Sequence, residues 1–131
     1  MTLIETERQT WMGVCALGAL IPGRGVAALV DGTAVAVFRT ATDTVLAIGN
    51  VDPCSGASVL SRGLVGQTVV DGHPVTYVAS PLRKERFDLV TGCCLDGGAS
   101  VDTWETRVTD DGRVEVAGAA SRSSNGPETN P

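Results

Sequence analysis

At 131 residues the chain has room for one domain with a single core, not for two. Its formal charge of −5 argues against a nucleic-acid partner, because neutralising phosphates takes a basic face. A single histidine, His73, rules out any site that needs two. No run approaches the roughly 18 apolar residues of a membrane span. Polar residues stand at the N-terminus where a signal peptide would be apolar, so the expected location is the cytoplasm.

Apolar residues make up 43% of the chain and aromatics only 4%, so the core rests on Val, Ala and Leu. Branching at Cβ suits a pleated surface and restricts a helix, and 16 glycines supply tight turns. Residues 1–8 are polar and are expected to be flexible. A first strand follows over Thr10 to Leu17, and Ile21-Pro22-Gly23-Arg24-Gly25 forms a loop. Gly25 to Val30 and Thr33 to Arg39 flank Asp31-Gly32, a two-residue hairpin signal. Thr44 to Ile48 is a fourth strand. Asn50 to Gly66, with Asp52-Pro53-Cys54-Ser55-Gly56 and Ser61-Arg62-Gly63, reads as a long structured loop.

Val69-Val70, Asp71-Gly72 and Pro74 to Ala79 predict a second hairpin. Ser80 to Glu85 is a second loop, Arg86 to Leu89 a short strand and Thr91-Gly92 a turn. Val101 to Val108, Asp111-Gly112 and Arg113 to Val116 close the domain as a hairpin. No helical periodicity is sustained anywhere. The pattern is an all-β domain over 9–117, a small sandwich or barrel with two long loops, followed by a disordered polar tail over 118–131. The two loops are the place for function, since a sheet holds them and their backbones are free to vary.

Those loops carry a family resemblance. Asn50-Val51-Asp52-Pro53-Cys54-Ser55-Gly56, Ala79-Ser80-Pro81-Leu82-Arg83, Arg86-Phe87-Asp88-Leu89 and Thr91-Gly92 are similar to the Rieske fold. In that fold one cysteine and one histidine from each loop bind a two-iron, two-sulfur cluster. At the corresponding positions this chain has Asp52 and Cys54 in the first loop and Ser80 and Arg83 in the second. Only one is a thiol, and an arginine cannot be deprotonated to bind iron. No cluster, no metal and no catalytic residue is therefore expected in this chain.

With the scaffold kept and the ligands lost, the sequence resembles the small subunit of bacterial assimilatory NAD(P)H nitrite reductase. The matching segments include Val14-Cys15-Ala16-Leu17, Pro22-Gly23-Arg24-Gly25-Val26, Ala36-Val37-Phe38-Arg39, Gly49-Asn50-Val51-Asp52-Pro53, Val59-Leu60-Ser61-Arg62-Gly63 and Asp111-Gly112-Arg113-Val114. They extend from about Trp11 to Val116. Cys54 departs from the pattern, which more often has an aromatic there.

The resemblance implies an accessory role. A large partner subunit would carry FAD, an iron–sulfur cluster and sirohaem, and would reduce nitrite to ammonium. A free-standing Rieske-type ferredoxin and a generic Rieske-like binding module are the other readings of the same fold, and the missing ligands argue against the ferredoxin.

In this fold the two loops meet at one tip, which sets Asp52 against Arg83, either as an ion pair fastening the loops or as part of a polar docking surface. Arg62, Arg83, Lys84 and Arg86 are its candidate basic members. Vicinal Cys93-Cys94 could form a redox switch or, with Cys54, a metal site, but metal-ligand spacing is lacking, so these thiols are expected to be free and buried in the β core, as is Cys15, and His73 is expected as an exposed turn residue.

Overall fold

Two strands with consecutive apolar residues through their centres organise the fold. Strand β3 (Thr33–Arg39) and strand β4 (Val45–Gly49) are buried on both faces. Successive side chains of a strand point to opposite sides. Val35, Val37, Val45 and Ala47 therefore enter one core, while Ala36, Phe38 and Ile48 enter another.

In the computed structural model, which describes residues 10–121, the remaining strands are β1 (Trp11–Ala16), β2 (Gly25–Val30), β5 (Leu64–Val70), β6 (His73–Ala79), β7 (Arg86–Asp88), β8 (Thr103–Val108) and β9 (Arg113–Ser121). An antiparallel six-stranded sheet runs β1-β9-β8-β4-β3-β2, and a second sheet runs β5-β6-β7. All six strands of the first sheet send side chains into one cluster, so the sheet curls toward a barrel around Val35, Val37, Trp104, Val114 and Val116. The smaller sheet lies on its outer face. Val78, Phe87 and Leu89 pack there against Phe38, Ile48 and Leu60.

The Asp-Gly pairs make the expected turns. Asp31 and Gly32 have φ of 52° and 82°, and Asp71 and Gly72 have 50° and 81°. Both pairs sit between strands in unbroken antiparallel register, Val30 opposite Thr33 and Val70 opposite His73.

Two boundaries differ from the sequence expectation. β5 starts at Leu64, inside the stretch expected to be loop through Gly66. Gly66 is a strand residue opposite Tyr77, and a Cβ there would lie 2.6 Å from Tyr77 Oη, so the ring covers the space a side chain would need. β9 continues to Ser121, with Ala120 opposite Trp104 and Ser121 opposite Thr103. The first four residues of the expected tail thus belong to the sheet. The rest of that tail and the N-terminal segment 1–8 lie outside the described residues.

The loop between β4 and β5 ends in a 3-10 turn, Leu60–Arg62, laid across β2 and β3. Close approach there requires glycine. A Cβ on Gly25 would meet Phe38 Cε2 at 2.5 Å, and one on Gly63 would meet Ala79 O at 2.2 Å and Val78 Cγ2 at 2.7 Å. Both contacts of Gly63 are with fixed groups, so Gly63→Ala should cost about 2–3 kcal/mol, as overpacking does. Gly18→Ala, which would meet nothing within 4 Å, should stay within about 1 kcal/mol. Urea midpoints of the two variants at unchanged m-value check this.

Candidate functional site

Two loops meet beside the junction of the sheets. The first leaves β4 of the larger sheet, and the second joins β6 to β7 of the smaller one. Asn50, itself buried, holds the start of the first loop. Its backbone N–H donates to Ala34 O, its Nδ2 donates to Ser58 Oγ at 2.8 Å, and its Oδ1 accepts from the Ser61 N–H at 2.7 Å. One side chain thereby ties both ends of the loop to each other.

Asp52 folds the tip of that loop. Its Oδ1 accepts the Cys54 N–H at 2.8 Å, its backbone N–H donates to Ala57 O, and its carbonyl accepts the Gly56 N–H. Asp residues favour such turns because the short carboxylate can reach a backbone N–H two positions on. Gly56 takes φ of 77°, as the return of the chain demands.

The second loop is equally tight. Ser80 N–H donates to Glu85 O, and Lys84 N–H donates back to Ser80 O. Lys84 adopts φ of 67°, an uncommon conformation for a side chain of its size, and stays exposed.

The loops are joined through Ser80 Oγ, which donates to Asp52 Oδ2 at 2.6 Å with both residues fully buried. Burial alone would raise the Asp52 carboxyl. The hydrogen bonds from Ser80, from the Cys54 N–H and from Ser55 outweigh it and hold the group below the ordinary carboxylate value. The expectation that Asp52 faces Arg83 is corrected here. No ion pair links them among the described residues, and the neutral hydroxyl of Ser80 is short enough to reach the buried carboxylate while Arg83 extends into solvent.

The remaining predicted residues separate into two groups. Arg62, Arg83 and Lys84 are exposed and take part in no ion pair among the described residues. Arg62 and Lys84 line a depression with Leu64, Ala79, Ser80 and Pro81. Leu64, in the same lining, is 79% exposed, and Leu82 of the second loop is 55% exposed.

Arg86 differs from these. Its guanidinium is bidentate to Asp96 at 2.8 and 3.2 Å, its backbone N–H donates to the same carboxylate, and it lies 5.6 Å from the Tyr77 ring centroid. It is a structural fastener whose charge is already matched.

Three residues went unnoticed as parts of the site. Asn50 and Asp96 carry no distinctive signal in sequence. Glu85 stands only five residues from Ser80, but nothing in its surroundings in the chain marks its Oε1 as shut off from solvent. The cysteines also differ from expectation. Cys54 and Cys93 are exposed loop residues, while Cys15 and Cys94 pack at the margins of the two cores. His73 is exposed at the start of β6, as expected.

The profile of the Rieske-like [2Fe-2S] domain family matches residues 10–117. The small subunit of an NADH nitrite reductase from Salmonella typhimurium is 44% identical over 110 residues, which cover 82% of this chain and 97% of that one. The chain belongs to the Rieske-like nitrite reductase small subunits. A crystal structure from Mycobacterium tuberculosis, described as an NADH-dependent nitrite reductase small subunit, superposes with a TM-score of 0.79 at 47% identity. That match covers 88% of this chain and 100% of the other. A Klebsiella oxytoca nitrite reductase [NAD(P)H] large subunit also contains a related region, 39% identical over 81% of this chain and 11% of that protein's length.

The family description names a [2Fe-2S] cluster, and the residues at its four positions do not fit one. Asp52 and Ser80 are hydrogen-bonded to each other where cysteine thiolates would have to converge on iron, and Arg83 offers no lone pair. No helix among the described residues is long and apolar enough to cross a membrane.

Removing the Ser80 hydroxyl leaves a buried carboxylate short of a donor. Ser80→Ala should therefore cost about 1.5–3 kcal/mol near neutral pH. Because folding lowers the Asp52 pKa, the stability tied to its ionised form is complete above the ordinary carboxylate range and is lost as pH falls through the lowered value. The difference between the native chain and Ser80→Ala in urea unfolding should accordingly shrink from near pH 7 to near pH 3.

Proposed function

We propose that the chain is a non-catalytic small subunit of an NAD(P)H-linked nitrite reductase, docked by its loop tip onto the large subunit that reduces nitrite to ammonium. The observation carrying this reading is the tip itself. Where a Rieske domain presents cluster ligands, this chain presents a closed Asp52–Ser80 link edged by Arg62, Arg83 and Lys84 and by exposed Leu64 and Leu82. An apolar centre with a charged rim is the usual composition of a protein contact, with the charges setting encounter rate and register.

The related region inside the Klebsiella large subunit supports the choice of partner, since a domain carried there within one chain can act here as a separate one. FAD, the iron–sulfur cluster and sirohaem belong in this reading to the large subunit, and the assembly is cytoplasmic. The small subunit contributes shape and charge to that assembly; the electron path runs through the partner.

Arg62→Glu combined with Lys84→Glu should weaken binding to the purified large subunit by about tenfold or more, mainly through slower association, with a loss that narrows at high salt. His73→Glu, at the opposite end of the β5–β6 hairpin, should bind as the native chain does. Equal binding by all three proteins in surface plasmon resonance would overturn the docking face.

A further inference from the structure

The tip contains a second arrangement that docking does not use. Asp52, Cys54 and Glu85 each bring a donor atom to one place, all within 4.8 Å of one another. They come from both loops, two from the first and one from the second. We propose that these three residues form a binding site for one divalent transition-metal ion of the zinc type.

Three features favour a cation there. First, Glu85 is half-buried, and its Oε1 is shut off from solvent with no hydrogen-bond partner among the described residues. A buried carboxylate oxygen in that state lacks the donor or cation that such groups almost always have. Second, the Asp52 carboxylate is already oriented by Ser80 and by the Cys54 N–H. Together with the bonds from Ser55, these donors form an outer shell that aims the carboxylate. Third, a second thiol is close. The Cys54 and Cys94 sulfurs lie 3.9 and 3.4 Å from the point that a Cβ on Gly98 would occupy, while only Asp52, Cys54 and Glu85 hold donors within 4.8 Å of one another, so water completes four-coordination.

The mixed set of two carboxylates and a thiol selects the kind of ion. Calcium and magnesium take oxygen ligands, whereas zinc and its neighbours accept sulfur with oxygen. Tetrahedral zinc, with Zn–O of about 2.0–2.2 Å and Zn–S of about 2.3 Å, holds its ligands roughly 3.5 Å apart, so side-chain rotation of about 1 Å closes the site. The Cys54 thiol is raised by its contact with the Glu85 carboxylate, and less by burial and the charges of Glu85 and Asp52, with Arg83 opposing. The same negative charges draw a cation in. On binding, the S–H bond breaks, the sulfur–metal bond forms and the proton passes to solvent, so affinity should rise with pH.

The ion would be single, without inorganic sulfide and without redox change. Its effect would be to clamp the Asp52–Ala57 loop to the Ser80–Glu85 loop beside the docking face, alongside the Asp52–Ser80 bond.

Titration of the reduced, metal-free full chain with Co2+ tests this, because cobalt reports thiolate ligation by a charge-transfer absorption. One equivalent should give that absorption, with displacement by Zn2+. Cys54→Ala should abolish it, Glu85→Gln should weaken binding about tenfold or more, and Cys93→Ser should leave it unchanged. Cys54 is exposed, so its variant should keep the native circular dichroism, which separates loss of the site from loss of fold. No saturable uptake, or an absorption that survives Cys54→Ala or is lost with Cys93→Ser, would overturn the site.

Discussion

The Asp52–Ser80 hydrogen bond is the constraint on which the tip depends. It joins a loop of the six-stranded sheet to a loop of the three-stranded one, at 2.6 Å and with no solvent access. A carboxylate in such a place is costly unless donors surround it. Here three backbone and side-chain partners do so, and they keep it ionised. In the Rieske fold an iron–sulfur cluster bridges the same two loops. In this chain the Ser80–Asp52 hydrogen bond, a short polar link, joins the two loops.

The link is possible because the frame beneath it is rigid. β3 and β4 are shared by two cores, so the barrel and the smaller sheet cannot move apart without exposing Phe38, Ile48 and Phe87 together. The 3-10 turn at Leu60–Arg62 sits on that shared layer, held by Asn50 and admitted by Gly25 and Gly63. Arg62 ends that turn and Leu64 starts β5, so the proposed docking face is an extension of the core packing. Arg86 with Asp96 secures the far side of the second loop in the same manner. Charges near a site therefore serve different ends, and their partners distinguish them.

Much of this was legible in the chain. Asp-Gly pairs between Val-rich runs identified the hairpins, since only residues that tolerate positive φ can make those turns. The resemblance of the two loops to the Rieske fold pointed to the architecture. What could not be read was pairing across long separations. Ser80 lies 28 residues from Asp52, and no local pattern favours it over Arg83 as the partner. Gly66 looked like a loop residue because the Tyr77 ring that compensates for it belongs to the neighbouring strand. The small residues after Gly118 suggested a tail, although backbone pairing with β8 continues to Ser121. The enclosure of Glu85 Oε1 and the exposure of Cys54 likewise follow from how the loops meet, which composition does not encode.

The central claim is that this polar-linked tip is the face presented to the large subunit. Amide hydrogen exchange of the chain, alone and in the assembled enzyme, tests it most directly. The account predicts added protection concentrated in residues 51–64 and 79–85, with the β5–β6 turn at Asp71-Gly72 unchanged. Protection confined to that turn or to the free edge of β2, with the two loops exchanging as in the isolated chain, would contradict it.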